Sequence, residues 1–218
     1  LPAVSAERQA FRRAVILGAS ISILGAIPPK LTGALSVQMT EDLRFSVAAL
    51  GTTIAVLHGA GALAGIPLGR LADRLGSTRS IRIAAATGAF AFLGVALFAV
   101  NWLTLVTLLT ISEVAGKLGS PAASRLLIRK VPSGRLGTAF GLKQTSGPIG
   151  GMLAGFSVPL IAVTIGWRWA YAIMGLYAIA LIVLVRRGTP GRSRERKEDA
   201  DRTALPHRGL LGILAAAF

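Results

Sequence analysis

Hydrophobic positions dominate stretches of about twenty residues or more along this chain, and most charged positions collect in the short intervals between them. Six stretches, near 13–37, 46–68, 80–100, 103–126, 137–163 and 167–186, are long enough to cross a hydrocarbon core about 30 Å thick. A backbone in lipid must satisfy its own hydrogen bonds, so stretches of this length predict helices. Barrel strands would be shorter and would alternate in polarity. The expected fold class is an all-α integral membrane protein. A seventh run, "GLLGILAAAF", begins near Gly209 at about half the required length, and the chain opens on Leu1. The sequence therefore reads as a piece of a longer protein. Its expected parts are an N-terminal segment 1–12, a six-helix bundle 13–186, a linker 187–208 and the start of a seventh helix 209–218.

Charge adds a direction to this pattern. Only 15% of the 218 residues are charged, well below a soluble domain, yet the net charge is +15. Nineteen of the 24 Lys and Arg residues lie in the N-terminal segment, the 69–82 and 125–135 turns and the stretch after the sixth apolar run. These intervals alternate along the chain, which places them on one side, the cytoplasmic one. Arg44, Arg168 and all three tryptophans (Trp102, Trp167, Trp169) fall on the other side. A basic chain can also signal nucleic acid, but no basic face interleaved with aromatics occurs, so the partner expected is the lipid bilayer.

The 69–82 turn, "GRLADRLGSTRSIR", holds one acid among its arginines. Gly69 and Gly76 permit close approach or positive φ, and a sharp turn between two helices is expected there. Asp73 reads either as neutralising Arg70 and Arg74 or as a latch made in one conformation and released in another. "GRLADRLG" after a second span resembles the motif between helices two and three of the major facilitator superfamily, with Gly69, Asp73, Arg74 and Gly76 in matching places. Ser77 and Thr78 stand where that family usually has basic residues, and Arg79 comes one position late. "GLKQTSGPIGGMLAG" in the fifth run is similar to the family's glycine-proline motif, at Gly147, Pro148, Gly150 and Gly151. "GSPAASRLLIRKVPSGRLGTAFG" and "GWRWAYAIMG" extend the likeness over essentially the whole chain. The resemblance implies the N-terminal half of a twelve-helix fold, a conformational latch at Gly69, Asp73, Arg74, Gly76 and Arg79, and a helix-five hinge at Gly147–Gly151. It also implies a missing C-terminal half as partner.

Ionisable residues within the spans mark where a cavity or a partner is expected. Glu113 and Lys117 share a face at i and i+4. They read either as a proton carrier with an anion anchor or as a self-neutralising packed pair. Lys30 follows Pro28-Pro29 and either lines the cavity or snorkels to the interface. Lys143 and Gln144 are candidates to meet substrate, with snorkelling the competing reading of Lys143. His58 reads as a titrating site or as a neutral, hydrogen-bonded packing residue. Gly61, Gly65 and Gly69 repeat every fourth residue and predict a helix-packing face.

Cysteine is absent and histidine occurs only twice, so no thiolate chemistry and no metal site are expected. No Gly-x-Ser-x-Gly, His-Glu-x-x-His or phosphate-loop motif is present, and neither an enzyme nor a bound cofactor is expected. The function expected is secondary active transport of a small solute by a permease or antiporter, with a proton as candidate co-substrate. The scattered lysines favour an anionic solute over a cationic drug. The alternatives are a permease subunit of an ATP-driven transporter and a non-transporting membrane sensor.

Overall fold

The computed structural model describes residues 2–187, with side chains described for 11–185. All regular structure among these residues is helical: α1 (Pro2–Ala34), α2 (Ser36–Leu43), α3 (Val47–Leu75), α4 (Ser77–Phe98), α5 (Trp102–Lys130), α6 (Leu136–Gln144), α7 (Ser146–Ser157) and α8 (Trp167–Arg187). Six segments are long and apolar enough to cross a membrane. They are carried by α1, α3, α4, α5, the α6–α7 pair and α8. The stretch expected to form a linker is helical at Arg187, and everything from 188 onward, including the seventh-helix start at 209–218, lies outside the described residues.

Local sequence accounts for the helix ends. Asn101 caps α5 by accepting from the Thr104 amide at 2.9 Å, and Thr104 Oγ1 accepts from the Asn101 amide at 3.3 Å, a reciprocal capping box. Ser46 caps α3 through the Ala49 amide at 3.2 Å. Between α3 and α4 the chain reverses at Gly76 alone, with φ 79° and ψ 161°, a conformation essentially reserved for glycine. This corrects the expected 69–82 loop: Gly69 through Leu75 belong to α3, and Gly69 is an ordinary helical residue with nothing within 4 Å of the place a Cβ would take. The expected N-terminal segment is likewise part of α1. The short α2 was not anticipated; it follows a one-residue break at Leu35 and buries Met39.

Helix α4 is the most enclosed, packed between α5 and α8, while α1 lies on α5 and α7. Helix α3 packs mainly on α5 and is the least enclosed span. The core runs through Leu24, Leu31, Phe92, Leu105, Leu109 and Tyr171. Tyr171 buries its whole ring, so its hydroxyl needs a partner, and it meets Thr32 Oγ1 at 3.2 Å.

Helices α1 and α5 cross backbone to backbone. A Cβ on Gly116 would sit 2.8 Å from Gly25 Cα, so only glycine fits there without a shift. The expected Gly61–Gly65–Gly69 packing face is corrected in the same terms. Gly61 is covered by α5, whereas Gly65 and Gly69 meet nothing within 4 Å among the described residues.

Candidate functional site

At the arginine-rich end, Asp73 stands near the C-terminus of α3 and its Oδ1 meets Arg125 Nη2 at 2.5 Å. Arg125 lies inside α5, a helix away, so the partner of Asp73 is neither Arg70 nor Arg74. Both of those, with Arg79 and Arg82, are exposed. The pair joins two helices that Gly76 and α4 separate in sequence. Both side chains are about half exposed, so water and salt screen the attraction and the link is weak enough to open.

Deeper in the bundle, Glu113 on α5 is 2% exposed, and Lys117 Nζ donates to its Oε1 at 2.8 Å. Glu113 is enclosed while Lys117 keeps more than a third of its side chain exposed, so the pair is half-buried and the lysine supplies the counter-charge that the enclosed carboxylate needs. The pair lies directly against Gly61 of α3: a Cβ there would be 2.6 Å from Lys117 Cε and 3.1 Å from Glu113 Oε1. The second oxygen, Glu113 Oε2, is buried with no hydrogen-bond partner among the described residues, and so is Thr110 Oγ1, one turn back on the same helix. A carboxylate held by one oxygen only has a free position for a proton on the other.

Lys30 projects from α1 onto the glycine step of α7. Its Nζ lies 3.7 Å from where a Cβ on Gly151 would be, and its Cδ is at the same distance from one on Gly150. The lysine therefore lies along this step at ordinary contact distance. It is half-buried and has no ion pair or hydrogen bond among the described residues. An unpaired ammonium at membrane depth is costly and faces a cavity or an anion.

The fifth span breaks at Thr145, between α6 and α7. Pro148 has no N–H to give the Gln144 carbonyl, so the break lies one turn before the Gly147–Pro148 pair rather than at it. Thr145 Oγ1 and Ser146 Oγ donate back to the carbonyls of Leu142 (2.7 Å) and Lys143 (2.5 Å), which stabilises the bent turn. The span ends in a π-helical turn, Val158–Ala162, that contains Pro159.

Two sequence readings are corrected here. Lys143 does not snorkel: it is 8% exposed, and its Nζ donates to Ser124 Oγ at 2.7 Å and to the Ser120 carbonyl at 3.4 Å. It joins α6 to α5. His58 is not a packed, hydrogen-bonded residue; it is exposed on α3, as Gln144 is on α6. No cluster of metal-ligating side chains occurs among the described residues.

The opposite end carries a clasp that sequence reasoning missed. Asp42 Oδ2, on α2, accepts from Trp167 Nε1 at 3.0 Å and from Arg168 Nη1, both at the start of α8. Arg168 Nη2 also donates to the Ala99 carbonyl at the end of α4, at 2.8 Å. Burial pushes the Asp42 carboxyl up, but the two hydrogen bonds and the Arg168 charge outweigh it and hold the group below its ordinary range. Nearby, Trp102 Nε1 donates to Thr53 Oγ1 at 2.9 Å, tying α5 to α3. The signal available in sequence was weak: one acid and one arginine 126 residues apart, each in a short interval on the side opposite the arginine-rich turns.

The molecule is thus a multi-pass membrane bundle with ion pairs at both ends and, between them, the Glu113–Lys117 pair and the unpaired Lys30. It belongs to the Major Facilitator Superfamily, whose match spans residues 14–218. The inward-open conformation of the xylose transporter XylE from E. coli has the same fold, with a TM-score of 0.70 at 18% identity over 85% of this chain and 49% of that one. The chain therefore spans about half the length of that transporter. A comparison with curated proteins finds no match.

Proposed function

We propose that this chain is the N-terminal six-helix half of a secondary active transporter that moves a small anionic solute by alternating access, with a proton coupled at Glu113. The observation that carries the reading is Lys30, an unpaired, half-buried cation on the Gly150–Gly151 step. Glu113 and Lys117 supply the second element. With the pair closed, Lys117 is neutralised; a proton on Glu113 releases the lysine to hold an anion, and anion binding in turn favours protonation. His58, Lys143 and Gln144 complete the candidate cavity, Lys143 as the residue that positions α6 on α5. Asp73 and Arg125, with Gly69, Arg74, Gly76 and Arg79 around them, form the latch that a second six-helix half would share. The break at Thr145, ahead of Gly147, Pro148, Gly150 and Gly151, lets the fifth span flex. The arginine-rich end faces the cytoplasm by the positive-inside rule, with the N-terminus on that side of the cell membrane.

The test is uptake by the full-length protein in proteoliposomes, against organic anions, organic cations and neutral sugars, with and without a proton gradient. Lys30→Ala and Lys117→Ala should each raise KM for the transported anion tenfold or more. Glu113→Gln should abolish dependence on the proton gradient while exchange across the membrane continues. Unchanged kinetics in both lysine variants would overturn the anion reading. Uptake that requires ATP and a co-purifying ATPase would overturn the secondary mechanism.

A further inference from the structure

Where α1, α4 and α5 meet there is a cavity of about 10 Å³, lined by Leu24 and Gly25 of α1, Gly88 of α4, and Ser112 and Gly116 of α5, among others. We propose that it is a binding site for one structural water, held by Ser112 and by the carbonyls of the Leu24–Gly25 step.

Three observations converge on this site. The volume is that of a single water. Ser112 is 2% exposed and is the polar side chain in the lining, yet its hydroxyl has no hydrogen-bond partner among the described residues. A helical serine ordinarily donates to the carbonyl one turn back, as Ser22 does to Gly18 at 2.8 Å. The third is written in the covalent chemistry of α1. The regular donors to the Leu24 and Gly25 carbonyls would be the amides of residues 28 and 29, which are both proline and carry no N–H. Thr32 Oγ1 donates to the Pro28 carbonyl at 2.8 Å, not to either of these. Membrane helices tolerate proline where a neighbouring group or a water satisfies the released carbonyls. One water accepting from Ser112 Oγ and donating into the Leu24–Gly25 step satisfies both sides.

The site has a consequence for the neighbouring charges. Lys30 directly follows the two prolines and Glu113 directly follows Ser112. The proposed water joins the segment of α1 that leads to the unpaired cation with the turn of α5 that bears the buried acid, and the site stands independently of the transport reading.

A structure of the full-length protein at a resolution that shows internal waters decides the matter. Density within hydrogen-bond distance of Ser112 Oγ, the same in sodium and in choline media and lost in Ser112→Ala, is the expected result. No density where other internal waters are resolved would overturn the proposal. So would density that persists in Ser112→Ala, or that appears only with sodium and so reports a cation. The wild-type density decides alone if the variant does not fold. Pro29→Ala, which supplies an N–H to Gly25, should recover at least half of the Tm lost by Ser112→Ala. Strictly additive losses would sink the bridge.

Discussion

Gly25 and Gly116 show how much one missing methyl group decides. Their helices touch backbone to backbone, and a Cβ on Gly116 has no flexible side chain to displace. Gly116→Ala should therefore destabilise the bundle by about 1–3 kcal/mol, the range for overpacking. Gly33→Ala, also in α1 but with nothing within 4 Å, should be neutral or stabilising by up to about 1 kcal/mol through helix propensity. Thermal unfolding of the two variants in detergent separates these outcomes. Lys117→Ala leaves the enclosed Glu113 side chain without its partner, at a cost between the ~1 kcal/mol of an exposed pair and the 3–5 kcal/mol of a buried one. Glu113→Gln added to Lys117→Ala should restore most of that stability. A double variant as unstable as the sum of the singles would show that the two residues do not form a working pair.

Among the elements, the Asp42–Arg168 clasp is a pH-sensitive joint between α2, α4 and α8. The folded-state carboxyl of Asp42 lies below its ordinary value, so its contribution is fully present above the unfolded pKa and is lost as pH falls through the folded one. Both partners are well exposed to solvent, which limits the effect to about 1 kcal/mol or less. Asp42→Asn should lower Tm slightly at neutral pH, and the difference from wild type should vanish in acid. A difference that persists at the acidic end would assign the contact to packing instead of charge. The fifth span makes the complementary point. Its proline and glycines were legible in sequence, but the break falls at Thr145, because what Pro148 removes is the hydrogen bond of a residue one turn earlier.

For the whole molecule, topology is the property on which the functional reading rests. The chain contains no cysteine, so single-cysteine variants report sidedness without background. In the full-length protein, also freed of any cysteine outside this chain, Arg79→Cys at the arginine-rich end and Arg44→Cys at the other should react with an impermeant thiol reagent from opposite sides. Arg79→Cys should be protected in intact cells and labelled after permeabilisation; labelling of both positions in intact cells would reject the topology.

The division between what chain order reveals and what it hides follows from the physics of each feature. Helices that cross lipid are dictated by local composition, because hydrocarbon length and self-satisfied backbone bonds are read off consecutive residues. Six spans, the glycine turn at Gly76, the bend near Pro148 and the presence of Asp73, Glu113 and Lys30 were therefore visible in the sequence. Partners are another matter, since they depend on which helix lies beside which. That Asp73 meets Arg125, that Lys143 is sequestered by Ser124 and that Asp42 clasps Arg168 are outcomes of tertiary packing. So is the Ser112 cavity. The short helix α2 escaped notice because eight mixed residues carry no membrane-length signal. Local composition dictates how many spans the described residues contain, because hydrocarbon length is a property of consecutive residues; the packed bundle decides which charges are paired and which, like Lys30, are left for something else to meet.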